Sequence, residues 1–231
     1  MTAMGQANAL AVLAVGDKGC FLNAPDMYMD KIVVGPKAKG AIDINLSPEE
    51  NMRNVAKALG KDVSDLTIVL LERERHQYIV DAARKLGVRC KFISDGDVSP
   101  VITTSFGDGG IDMMMGKGGA PEGVIAAAAI KCMGGDMQGR LVPETEEESR
   151  RVHEMGIDDV NKVLTLDDLV STDDVYFVAT GVTKGDILNG VRFTDKYAIT
   201  HTVVMRGVTG TVRFIEAYHD YDRKPDYIKL K

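Results

Sequence analysis

The sequence has 231 residues, with 28 Lys+Arg against 34 Asp+Glu for a formal net charge of -6, and 45% of it is hydrophobic. That is enough for one large domain or two lobes on a shared core, too apolar for a disordered chain, and without the Lys/Arg cluster that grips nucleic acid or an anionic membrane. The apolar stretch at residues 9–15 falls well short of the about 20 residues that span a bilayer and lacks the basic flank of a signal peptide, so a cytoplasmic protein is expected.

Residues 9–15 (ALAVLAV), the Gly-bounded turn at 16–19 and the segment after it read as strand, turn, strand. Ser47-Pro48-Glu49-Glu50 is a helix start, with Ser at the cap, Pro in the first turn and Glu three residues after the Ser. Met52, Val55, Ala56 and Leu59 then share one face, and Gly60 ends the helix. A repeating pattern follows. The spacing predicts buried strand 67–71 (TIVLL), helix 74–86, strand 88–93, helix 98–106, short strand 111–115 and Ala-rich helix 123–133. Such alternation predicts a parallel sheet covered on both faces. The acidic segment 143–149 (PETEEES) is expected to lead into a helix and carries no assigned function. Strand 175–179 precedes a Gly-rich turn, and segments 197–205 and 211–218, joined by Gly207-Val208-Thr209-Gly210, form an expected antiparallel hairpin. The charged tail from residue 220 is expected on the surface. Cys20, Cys90 and Cys132 are too far apart for a zinc site and odd in number, so reduced thiols are expected.

In open α/β sheets, ligands bind beyond the carboxyl ends of the strands. Three loops occupy those ends: Arg73-Glu74-Arg75-His76, Asp95-Gly96-Asp97, and the run from Gly116 to Gly123, GKGGAPEG. Arginines opening a helix suit phosphate, aspartates flanking Gly suit sugar hydroxyls or a hard cation, and a Gly-rich turn admits a ligand close to the backbone. Glu122 at a helix mouth offers an oxygen to a metal. Together they describe a phosphorylated polyol site with a divalent cation. Each feature also has an everyday alternative. The arginines could be surface charges, Asp95-Gly96-Asp97 a turn and cap, and Glu122 a first-turn carboxylate favoured by the helix dipole. Lys117 is not followed by Ser or Thr, which excludes a Walker A loop. His76, His153, His201 and His219 have no metal-ligand spacing and read as ordinary.

Residues 1–36 together with RERH, SDGDV, GKGGAPEGVIAAAAIKCMGGDMQGRL and FVATGVTKGDILNGV resemble the class II (GlpX-type) fructose-1,6-bisphosphatases in the family's order. The resemblance implies the layered α/β/α/β/α sandwich of the FBPase/inositol monophosphatase-like sugar phosphatases, N-terminally incomplete, with residues 1–46 as the remnant of a metal-binding lobe and 47–231 as a sugar-phosphate-binding lobe. It implies hydrolysis of the 1-phosphate of fructose 1,6-bisphosphate in gluconeogenesis, with Mn²⁺ or Mg²⁺. Carried over by position, Tyr28, Arg73, Glu74, Arg75, Asp95, Gly96, Asp97 and Gly119 fall on substrate-binding positions and Glu122 on a metal-ligand position. Glu74 departs from the pattern, since relatives commonly have Pro there.

Relatives also carry an Asp-Pro-Ile-Glu-Gly-Thr motif before the part matching Met1 and an acidic Gly-Glu-Gly-Glu motif further upstream. Neither is in this sequence, and the resemblance places most metal carboxylates and a catalytic threonine there, leaving the catalytic residues unassigned. The expectation is a bisphosphatase without that portion, exposing an apolar edge at residues 9–15. A homo-oligomer or a pairing with a full-length chain is expected. The alternatives are a non-catalytic sugar-phosphate-binding fragment, or a preference for sedoheptulose 1,7-bisphosphate.

Overall fold

The computed structural model describes residues 2–106 and 109–223. In chain order the elements are β1 (Leu10–Gly16), β2 (Tyr28–Val34), α1 (Pro48–Leu59), β3 (Thr67–Leu71), α2 (Gln77–Leu86), β4 (Arg89–Ile93), α3 (Val98–Thr103), β5 (Met113–Gly119) and α4 (Ala120–Met133). They continue with β6 (Asp136–Val142), α5 (Glu146–Glu154), β7 (Leu164–Thr165), α6 (Leu166–Leu169), β8 (Val175–Gly181), β9 (Arg192–Phe193), β10 (Tyr197–Arg206) and β11 (Thr211–Asp220). Residues 224–231, the end of the charged tail, lie outside the described residues.

The local signals for helices act as chemistry requires. Ser47 caps α1 in a capping box with Glu50, and Gly60 and Gly87 end α1 and α2 in the left-handed conformation. Strand alternation then sorts the core into two clusters. Ile32, Val34, Ile68, Leu70, Met113 and Met115 face α1 and α2, while Met29, Val33, Val69 and Met114 face the α3 and α4 side. Helix α4 is apolar on every side, with buried Val124, Ala126, Ala127, Ala128, Ala129 and Ile130, and it packs against strands of both sheets. The described residues therefore alternate helix, sheet, helix, sheet.

The six-stranded sheet runs β4-β3-β5-β2-β6-β7, and β1-β8-β10-β11 form the second sheet with β9 on β10. Strand β3 is parallel to β4 and β5. The uniformly parallel sheet expected from the strand–helix repeat is corrected here to a mixed one: β2 is inserted antiparallel between β5 and β6. Helical crossovers do keep β3, β4, β5 and β6 pointing one way, but β2 arrives from outside that repeat. The strand expected after the first Gly turn is likewise displaced. β1 pairs with β8, whereas β2 begins at Tyr28 in the other sheet. The predicted loop at 116–119 is the end of β5, and β6 was not foreseen. The β10–β11 hairpin forms as expected.

On the outer face of the second sheet, Leu13, Val15 and Ile215 are exposed, including the apolar edge expected at 9–15. Cys20, Cys90 and Cys132 are free thiols, and no helix is long and apolar enough to cross a membrane, among the described residues.

Candidate sugar-phosphate site

The carboxyl ends of β3, β4 and β5 lie side by side. The inserted β2, running the other way, brings its first residue to the same edge, where Tyr28 pairs with Gly119 on one flank and Val142 on the other. This explains how a residue so distant in sequence from the other candidates reaches them. A cleft of about 420 Å³ opens there, lined by Tyr28, Asp95, Gly96, Asp97, Gly119 and Glu122 together with Asp26, Met27, Leu71, Gly118 and Glu148.

The floor of the cleft is built around Lys31, a buried lysine in the middle of β2 that exposes 2% of its surface. Its ammonium forms an ion pair with Asp97 and donates a hydrogen bond to Gly119 O at 3.0 Å. A cap was one reading of Asp97. It does stand at the N-cap position of α3, but its side chain makes no capping bond and turns to Lys31. Asp95 accepts a hydrogen bond from Gly96 N–H, and Gly96 has φ +72°, so this loop is a turn as expected.

The glycines of β5 make room for side chains, in place of the ligand-hugging turn predicted. A Cβ at Gly118 would come within 2.5 Å of Asp97 Oδ2, and one at Gly119 within 2.0 Å of Glu122 Oε2. Glu122 thus folds back from the first turn of α4 over the end of β5, so it is both a first-turn carboxylate and a wall of the cleft.

The arginine loop borders the cleft from the side of α2. Arg73 donates to Glu72 O and Ser94 O, tying the loops after β3 and β4 together. Arg75 donates to Lys117 O at 3.0 Å, its guanidinium lies 4.8 Å over the Tyr28 ring, and Lys117 Nζ lies 5.4 Å from the same centroid. Arg75 Nε is buried without a hydrogen-bond partner among the described residues. None of Arg73, Glu74 and Arg75 lines the cleft itself: the two arginines stand beside it through Ser94 and Tyr28, and Glu74, although placed on a substrate position by the resemblance, is exposed at the outer turn.

Five residues escaped the sequence reading. Lys31 has no role in that reading, and with Asp30 directly before it in MDKIVV no local signal marks it as buried. His76, dismissed as ordinary, is buried and bridges β3 to β5. The acidic segment without assigned function supplies Glu148 to the cleft and Glu144 to an ion pair with Lys117 at 3.1 Å. Asp30, behind the floor, has its pKa raised by burial against the opposing pull of Lys117, Arg140, His76 and Arg75.

The profile of a family described as bacterial fructose-1,6-bisphosphatase, glpX-encoded, matches residues 1–219. The chain belongs to this family. It is 52% identical over 237 residues to fructose-1,6-bisphosphatase 1 class 2 of Escherichia coli (strain K12), covering 97% of this chain and 70% of the relative. The Haemophilus influenzae fructose-1,6-bisphosphatase class 2 is 46% identical over 235 residues, covering 96% of this chain and 70% of its own length. A Synechococcus (strain JA-3-3Ab) protein named D-fructose 1,6-bisphosphatase class 2/sedoheptulose 1,7-bisphosphatase is 41% identical over 244 residues, covering 100% of this chain and 70% of its own. For a family expected to use a divalent cation, the donor set is sparse. Among the described residues no three His, Cys, Asp or Glu side chains gather closely enough to hold a metal ion. Asp97 is committed to Lys31, and the other carboxylates along the cleft, Asp26, Asp95, Glu122 and Glu148, form no such group.

Proposed function

We propose that this chain is a phosphoric monoester hydrolase acting on a sugar bisphosphate, with fructose 1,6-bisphosphate as substrate and its 1-phosphate as the group removed. Membership of the family supports the reaction class. The observation that carries the substrate class is the cleft itself, where arginines border one side and hydrogen-bond acceptors line the other. Arg73 and Arg75 are anchored by backbone carbonyls with guanidinium N–H groups left over for a phosphate. Asp95 and the Asp97 oxygen turned away from Lys31 accept sugar hydroxyls. Tyr28, held beneath Arg75 and Lys117, offers its ring as an apolar wall.

Mn²⁺ or Mg²⁺, implied by the family resemblance, would find one carboxylate oxygen in Glu122. The residues present do not by themselves fit a metal centre, because hard divalent ions take about six oxygen ligands. A cytoplasmic role in gluconeogenesis and association with a second family chain belong to the same proposal.

A second reading, sedoheptulose 1,7-bisphosphate as substrate, is favoured by the open side of the cleft, which sets no limit on sugar length. The test is phosphate release from the two bisphosphates in Mn²⁺, beside calorimetric binding of fructose 6-phosphate, for the wild type and Glu122→Ala. Faster hydrolysis of fructose 1,6-bisphosphate, lost in Glu122→Ala, is expected. A preference for the longer sugar would support the second reading, binding without hydrolysis would support a sugar-phosphate-binding protein, and neither binding nor hydrolysis would overturn both enzymatic readings.

A further inference from the structure

The ladder between β3 and β5 holds at Ile68–Met113 and Val69–Met114 and then opens. Beyond that point a carbonyl of β3 and an amide of β5 would be left without ladder partners, and buried backbone groups rarely go unpaired. His76 fills the gap. Its Nδ1 lies 2.8 Å from Leu71 O, and its Nε2 lies 2.8 Å from Lys117 N. A carbonyl only accepts and a backbone N–H only donates, so these partners assign the proton to Nδ1, leave Nε2 bare, and make the ring neutral. Gly116, with φ +141°, keeps the space open, since a Cβ there would stand 3.0 Å from the ring. The Lys117 peptide held in this way also carries Arg75 on its carbonyl.

We propose that His76 is a positioning residue for sugar-phosphate binding: the neutral ring splices β3 to β5 and so fixes Arg75, Lys117 and Tyr28 at the border of the cleft. The role rests on the functional reading above. A proton on Nε2 would set one donor against another at Lys117 N–H and part the splice. The groups facing the ring are Arg73 and Arg75 on its own loop, Lys117 on β5 and Asp30 on β2. Burial and the two arginines oppose the extra proton, while the Leu71 carbonyl and Asp30 favour it.

Two measurements test this. Nitrogen NMR of the imidazole in the wild type reads the tautomer and the hydrogen-bond coupling from Lys117 N to His76 Nε2. Calorimetry with fructose 6-phosphate at pH 7.5 and 5.0 compares the wild type with His76→Gln, whose amide oxygen accepts the Lys117 N–H at either pH. Titration of the ligand's own phosphate is common to both proteins. The expected results are an Nδ1-protonated ring whose coupling disappears on acidification, and a wild-type affinity that falls about tenfold further than that of His76→Gln, as losing a buried hydrogen bond implies. Parallel losses in the two proteins, or an Nε2-protonated tautomer at pH 7.5, would overturn the proposal. Should His76→Gln not fold, the wild-type coupling and affinity must be lost together on acidification, and separate losses would overturn it. A wild type that binds nothing at pH 7.5 would refute the functional reading and the positioning role with it, while the spectrum still reports the splice.

Discussion

An ammonium moved from water into a strand costs several kcal/mol unless an anion and further acceptors replace its solvent. At Lys31 the replacements are Asp97 and the carbonyl of Gly119, each of which also belongs to the cleft. The pair couples the loop after β4 to the last residue of β5, and each charge alone would be stranded. Lys31→Met is therefore expected to destabilise the protein by about 3–5 kcal/mol, and Lys31→Met/Asp97→Asn to recover most of that loss, since it is the uncompensated charge that is costly. Urea denaturation of both variants checks this. A double variant no more stable than Lys31→Met would show that lost packing around the lysine stem, and not the stranded carboxylate, sets the cost.

Among the elements, β5 departs most from what its sequence predicts. GKGG reads as a turn because glycine is weak in strands and strong in loops. It forms a strand because its neighbours supply what glycine lacks: His76, Asp97 and Glu122 fill the space that side chains on β5 would otherwise occupy. Gly116→Ala is expected to cost about 1–3 kcal/mol, as a residue with a side chain is strained at φ +141° and its methyl presses on His76. A melting temperature equal to that of the wild type would refute the packing account. By contrast α1, α2 and the β10–β11 hairpin were legible in sequence because their signals are local: a capping box, a terminal glycine, a four-residue turn. The loops of the cleft were legible too, since a helical crossover forces β3, β4 and β5 to end together. The antiparallel insertion of β2 was hidden, because strand pairing between residues 28 and 119 leaves no local mark. Lys31 and His76 became recognisable only once that pairing was known.

Across the whole molecule, α4 lies between two sheets and the polar machinery collects at one edge of the six-stranded sheet, so protonation there bears on overall stability. The buried His76 and the half-buried Asp30 act with opposite sign. His76 has a folded pKa below its usual value of about 6.5, so the stability it contributes is complete above that pH and is lost as the pH falls toward the folded pKa. Asp30 has a folded pKa above its usual value of about 3.9, so ionising it costs stability, a cost absent in acid and complete once the pH has risen past the folded pKa. Melting temperatures taken from pH 4 to pH 8 separate the two. His76→Gln is expected to remove the part of the rise that ends near neutrality, and Asp30→Asn to remove the part of the fall that begins in acid, making that variant the more stable protein at pH 7. A pH profile unchanged in His76→Gln would mean that the imidazole takes up its proton without breaking the bond to Lys117, and an Asp30→Asn protein less stable than the wild type at pH 7 would mean that the cations around Asp30 outweigh its burial.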